Sequence, residues 1–465
     1  MMNRIFLTVV LAASMACGGE SDDTGSTGGT VVIGAGGAAG EGGAGGAGGG
    51  VGSRVETRER LSFIKQVNDD SGSRSDLFIY DFDLDDEINL TEGTDDVDCG
   101  TRSCKLSDGQ TSVGWLARQP NGSFNLRVAP VDLVTNRIEL SAVVDVATGV
   151  DQFDFTIDDS TMPAQEIVVY SRVQSDGSGR KEIIVRPVTA CTDCEVVVGS
   201  VNADGGYRVT QYSGLFILVE TTLSSMTVKL FNLGTMSQQN IASFGVENMT
   251  GSQFSASDPI GLAPSAEYLS IFTRDNFLWK LNHIEARPDA PEPQVHELFE
   301  TSTSRSGTCM RMGDYFFQEV RKDPVFSNDS EWIYFLVTGT CNRTASDTPT
   351  NRDDYDVLRM NRNLSGMVEN VTQIFHGSDW SNHDISNFAV NGEGTRLLVD
   401  GQRPTNALSK SLWLIDPSSG EYDCSRGDER RGIDGKTRCE FIFDERTNVE
   451  VSYRNVRFHT VEVSR

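Results

Sequence analysis

Residues 76–93 read DLFIYDFDLDDEINLTEG, with aspartates at 81, 83 and 85 and a glutamate at 92. That spacing matches the oxygen ligands of a helix–loop–helix calcium site, so the stretch is either a metal loop or a strand, a turn and a second strand. A calcium loop of this kind needs a glycine at its sixth position, where the chain has Asp86, and a helix on each side. The residues before Asp81 alternate instead with period two, which is a strand pattern. DLFIYDFDL therefore reads as the outgoing strand of a small sheet. DDEINLTEG reads as the turn and start of its neighbour, with the aspartates alternating into solvent.

Working outward, the same kind of segment recurs along the chain. RLSFIKQV at 60, TSVGWLARQ at 111, EIVVYSRVQ at 166, GLFILVET at 214, EYLSIFTRD at 267, EWIYFLVTG at 331 and GTRLLVDGQ at 394 are seven alternating or wholly apolar strands. Each is followed by a turn or loop and a second strand, among them FNLRVAPVDL, KEIIVRPV and MTVKLFNL. A repeat every 50–60 residues is the scale of a four-stranded propeller blade with some long loops. One such sheet cannot bury both of its faces, and a closed ring of them can. The expectation is an all-β chain with a β-propeller of seven four-stranded blades over residues 53–465. The final VSYRNVRFHTVEV has nothing after it to pair with and is expected to close the ring beside the first blade.

The stretch DPVFSNDSEWIYFLV, 323–337, resembles the repeat of TolB-type, WD40-like propellers: an Asp-Pro step, an aromatic, a serine, an Asp-containing turn and an apolar strand. DISNFAVNGEGTRLLV at 384, DPIGLAPSAEYLSIF at 258 and DQFDFTIDDSTMPAQEIVVY at 151 are weaker copies. Around 98–110 and 196–212 no Asp-aromatic step stands out, which leaves six or eight blades as alternatives. The resemblance implies that Asp151, Asp258, Asp323 and Asp384 occupy similar places just before their inner strands, near one mouth of the channel. A carboxylate ring there would draw cations or a basic peptide. The competing reading is that each aspartate accepts backbone hydrogen bonds in its own turn.

The N-terminus carries a different message. Arg4, an apolar run from Ile5 to Ala13 and small residues before Cys17 make residues 1–16 an export signal; the run is too short for the roughly 20 residues of a membrane span. SMAC at 14–17 resembles the lipobox of bacterial lipoproteins, which implies lipidation of Cys17; cleavage after Ala16 without lipidation is the rival. Gly18 stands where that resemblance would place an inner-membrane retention aspartate, so the outer membrane is expected, at its periplasmic face or the cell surface. Residues 17–52 form a Gly-rich linker without aromatics, which cannot bury a core. As a flexible coil it would reach about 30–35 Å.

Removing Cys17 from nine cysteines leaves eight, an even number suited to disulfides in an oxidising compartment. Proximity pairs Cys99 with Cys104, Cys191 with Cys194, Cys309 with Cys341 and Cys424 with Cys439. The net charge, 40 − 67 = −27, argues against nucleic acid as a partner. His376, Asp379, His383 and Asp384 lie together in FHGSDWSNHDIS, where imidazole and carboxylate would suit a divalent cation. The chain has no G-x-S-x-G nucleophile elbow and no phosphate-binding P-loop. The expected function is a monomeric binding scaffold for a protein or envelope component, touching the membrane only through its lipid. The alternative is a metal-dependent or carbohydrate-active propeller enzyme using the His376/His383 loop and the aspartate ring.

Overall fold

The computed structural model describes residues 55–464 with interruptions, the longest being 246–259, 286–293, 301–315, 341–354 and 373–384. Apart from one short 3-10 turn, every regular element among the described residues is a strand. The first blade holds β1 (Val55–Asp69), β2 (Gly72–Asp81) and β3 (Asp86–Asn89); the second holds β4 (Lys105–Leu106), β5 (Ser112–Arg118) and β6 (Phe124–Asp132), with β7 (Arg137–Ile138) and β8 (Val144–Thr148) both on β6. Blade three is β9 (Val150–Asp158), β10 (Gln165–Val173), β11 (Lys181–Pro187) and β12 (Val196–Val201). Blade four is β13 (Gly206–Val209), β14 (Leu215–Thr221), β15 (Ser225–Asn232) and β16 (Ser237–Gly245). Blade five is β17 (Ile260–Leu262), β18 (Tyr268–Asp275), β19 (Leu278–Glu285) and β20 (Gln294–Glu300). In blade six, β21 (Phe316–Val320) and β22 (Val325–Phe326) share β23 (Trp332–Thr340), followed by β24 (Tyr355–Asn361) and β25 (Val368–Asn370). Blade seven runs β26 (Phe388–Val390), β27 (Leu397–Arg403), β28 (Asn406–Asp416), β29 (Glu421–Tyr422), β30 (Asp428–Arg431) and β31 (Thr437–Ile442). The last strand, β32 (Glu450–Ser464), leaves its sequence neighbours and pairs with β1 from Val55↔Ser464 to Asn68↔Glu450. It completes the first blade as that blade's inner strand and so closes the ring.

Packing follows from period-two alternation. In β23, Ile333, Phe335 and Val337 face blade five while Tyr334 and Leu336 face blade seven. Every buried apolar cluster among the described residues is shared by two neighbouring blades, in the sequence one–two, two–three, and onward to seven–one. Among the described residues no blade has a core of its own. The seven–one cluster joins Leu398, Leu412 and Leu414 to Leu61, Phe63, Val451 and Tyr453, so β32 seals the last interface. Burial at these seams is the principal stabilising term of the fold.

The opening stretch needs two corrections. DEIN is not the start of a neighbouring blade: β3 pairs antiparallel with β2 and is the outer strand of blade one. Asp81 does not point to solvent. It is fully buried, bound by Arg60 Nε at 2.8 Å, and it accepts the backbone N–H of Asp83 and of Leu84 in the turn. Asp83 and Asp85 are exposed. A carboxylate at the first turn position caps its loop as a calcium ligand would, with a guanidinium in place of the metal.

The resemblance motif also acquires a mechanism. Between β22 and β23, Ser327 N–H donates to Trp332 O, Trp332 N–H donates to Ser327 Oγ, and Ser330, at φ 59°, returns its N–H to Ser327 O. The same six-residue turn joins β4 to β5, with Ser107, Gln110 at φ 54° and Ser112 in the three roles. It joins β26 to β27 with Asn391, Gly394 at φ 69° and Arg396. The residue three after the first, Ser330, Gln110 or Gly394, must take the left-handed region, which glycine enters without strain. Region 98–110, which looked exceptional, therefore carries the repeat in its hydrogen bonds.

Candidate functional site

The inner strands β4, β9, β13, β17, β22 and β32 surround an axial cavity of about 580 Å³. Six of the seven blades contribute to its wall among the described residues. Asp204 and Asp323 lie at the rim just before inner strands begin, Lys181 reaches the same rim from the start of β11, the third strand of blade three, and Asp154 and Arg457 lie midway along β9 and β32. From Asp151 to Asp154 the strand advances about 10 Å, which sets the depth between the two levels.

At the inner level Asp154 holds two cations. Lys105 Nζ stands 2.7 Å from its Oδ2 and Arg457 Nη1 stands 3.7 Å from its Oδ1. Burial alone would raise the Asp154 carboxyl, but Lys105 and then Arg457 outweigh it and hold the group below its ordinary range. Burial lowers the Lys105 ammonium, Asp154 opposes that, and the neighbouring Arg457 and Arg208 add to it. At the rim, Arg208 Nε meets Asp323 Oδ2 at 2.7 Å, and Lys181 Nζ meets Asp151 Oδ2 at 3.0 Å. Asp323 also accepts the backbone N–H of Ile260.

Of the four aspartates expected at the channel mouth, Asp151 and Asp323 thus come to the same rim, each in an ion pair; Asp258 and Asp384 lie outside the described residues. The wall itself is mixed rather than acidic, with Lys105, Lys181, Arg208 and Arg457 beside Asp154, Asp204 and Asp323. These bases had no sequence motif, since only ring closure assembles them. His376, Asp379, His383 and Asp384, like Cys17 and the linker, fall outside the described residues. Among the described residues no group of three or more His, Cys, Asp or Glu is placed to hold a metal ion. Cys99 and Cys104 are joined in a disulfide, and Cys194 is also disulfide-bonded. Cys191, Cys309, Cys341 and Cys424 lie outside the described residues; Cys439 is on β31.

One further constellation has the residue types of a hydrolase triad. Ser62 Oγ lies 2.6 Å from His459 Nε2, and His459 Nδ1 lies 3.8 Å from Asp108 Oδ1. Ser62 and His459 are each 3% exposed, and none of the three lines the cavity. Burial raises Asp108 to about 7 and lowers His459 to about 3, with Arg457 and Arg60 adding to the latter, so at neutral pH His459 is uncharged and cannot form an ion pair with Asp108, which is itself only partly ionised. A nucleophile needs access and a base that can take its proton. This group is a polar seam between blades one and two.

Seven sheets closed around an axial, charge-lined cavity define a seven-bladed β-propeller. No protein-family model matches the chain, and no curated protein matches it in sequence. Among solved structures it is similar to TolB from Acinetobacter baumannii, at 12% identity over 86% of this chain and 82% of that one, with a TM-score of 0.37. The propeller domain of the Trilobed protease from Pyrococcus furiosus is similar at 9% identity, 68% and 80% coverage and TM-score 0.39. The acylaminoacyl peptidase of Pyrococcus horikoshii is similar at 10% identity, with 77% of this chain covered but 49% of that one, and TM-score 0.45. At that distance the likeness concerns fold alone.

Proposed function

We propose that the protein is exported, lipidated at Cys17 and held by its Gly-rich linker at the outer membrane, where the channel mouth binds a protein or envelope component without turnover. The observation that carries this reading is the cavity: six blades converge charged and backbone groups on one concave site, the arrangement expected of a recognition surface. The triad-like group nearby is sealed from that cavity, which favours binding over hydrolysis.

The test places a photo-crosslinking residue at Asp204, on the rim, or at Met236, an exposed residue in the β15–β16 turn at the opposite end of blade four. In intact cells the Asp204 position should trap a discrete adduct that the Met236 position does not. Equal trapping at both, or none, contradicts the proposal. Cys17→Ser should release the chain from the membrane fraction, and retention there would contradict the anchor.

A further inference from the structure

Resting on that reading of the channel, we infer that the inner level of the cavity is a receptor for a carboxylate group, carried by a small organic acid or by the free C-terminus of a peptide. With Arg208 and Asp323 paired at the rim, two cations converge there, Lys105 and Arg457, against one carboxylate, Asp154. Asp154 is divided between them: Lys105 takes one oxygen at 2.7 Å, and Arg457 stays at 3.7 Å from the other, longer than a charge-assisted hydrogen bond. Arg457 is also 37% exposed while its partner is 14% exposed, so its guanidinium keeps a face toward the cavity. The balancing rim charges sit elsewhere: Lys181 is matched by Asp151, and Asp204 lies four residues before Arg208, in the link leading into β13.

The surplus on the cavity wall at this level is one positive charge, in a protein whose net charge is −27. Such a site does not arise from general surface composition. An incoming carboxylate would receive two N–H groups from Arg457 in the planar fork geometry that suits it, and Asp154 would retain Lys105. A cavity of about 580 Å³ admits a small acid or the last residues of a peptide, and excludes a folded domain.

Calorimetric titration of the full chain tests this with five probes: succinate, acetyl-trialanine with a free C-terminus, the same peptide as its C-terminal amide, inorganic phosphate and putrescine. Saturable binding of succinate assigns a small acid. Saturation by the free-terminus peptide but neither its amide nor succinate assigns a chain end. In either case Arg457→Gln should weaken binding at least about tenfold, and Asp154→Asn, which removes the competing carboxylate, should tighten it about tenfold. Lys181→Gln, on the balanced rim pair, should change it less than about threefold. A merely structural Asp154 gives no such gain, and urea midpoints confirm that each variant is folded. Tighter binding of phosphate than of either carboxylate, saturation by putrescine, or no saturation up to about 10 mM overturns the inference. So does binding that Arg457→Gln leaves unchanged. A discrete crosslink at Asp204 without carboxylate binding would sink this inference and leave the recognition role standing; carboxylate binding without a crosslink would do the reverse.

Discussion

Arg208 of blade four reaches past blade five to Asp323 of blade six, Nε to Oδ2 at 2.7 Å, and Asp323 meanwhile accepts the N–H of Ile260 from blade five. One aspartate thus ties three consecutive inner strands at the rim. Asp323→Ala should lower stability by about 1–2 kcal/mol, most of it from the orphaned Ile260 N–H, because the carboxylate is 43% exposed and its ion pair is screened. Asp323→Asn keeps an acceptor and should lose less than half as much. Urea midpoints of the two variants decide this; equal losses would place the energy in the charge.

Asp81 is a different case, since it and Arg60 are both buried and Arg60 also donates to Gln110 Oε1 of blade two. Removing the carboxylate strands a guanidinium at the seam. Asp81→Ala should cost about 3–5 kcal/mol, whereas the exposed Asp83→Ala should stay within about 0.5 kcal/mol. Chemical denaturation of both variants reads the contrast.

Gly261 lies where β17 passes Pro324, and a Cβ there would fall inside contact distance of the Pro324 carbonyl and side chain. Backbone cannot yield as a flexible side chain does. Gly261→Ala should destabilise by about 1–3 kcal/mol and narrow the cavity, whose wall includes Gly261 and Pro324. Thermal unfolding of the variant measures the first effect.

Asp108 and His459 give the stability profile two opposing slopes. Asp108, raised to about 7 from 3.8, contributes stability that is complete below about pH 4 and lost as pH rises through 7. His459, lowered to about 3 from 6.5, contributes stability complete above about pH 6.5 and lost as pH falls toward 3. Asp108→Asn should therefore be more stable than the parent at pH 8, by on the order of 2–4 kcal/mol, with the difference vanishing near pH 4. His459→Gln should show its relative gain only on the acid side. Urea midpoints at pH 4, 6 and 8 check both signs.

The architecture was readable because the second strand of each blade lies between two partners, so its residues are apolar on both faces. Segments such as EWIYFLVTG and GLFILVET carry that signature, and each falls on such a strand, β23 and β14. The inner strands were not readable in the same way: β4, β17, β22 and β26 are two or three residues long, too short for a period to register. A signal for them existed in the turns, where a polar side chain precedes by three a residue held at positive φ, as in Ser107 and Gln110. It is invisible to a search for aromatics. Asp81 was misread because its partner, Arg60, is 21 residues away on the adjacent strand, and alternation alone cannot say which face is buried when both face neighbouring blades. The cavity cations are farther apart still: Lys105, Arg208 and Arg457 meet only because the final strand returns to the first blade.

That return is the most direct place to test the account. In calorimetry, the chain truncated after residue 448, lacking β32, should lose the single cooperative transition of the full chain and bind an apolar dye, because the blade seven–one cluster loses Val451, Tyr453 and Val456. A truncated chain that unfolds cooperatively at the parent temperature would contradict closure of the ring by β32, and with it the cavity that closure creates.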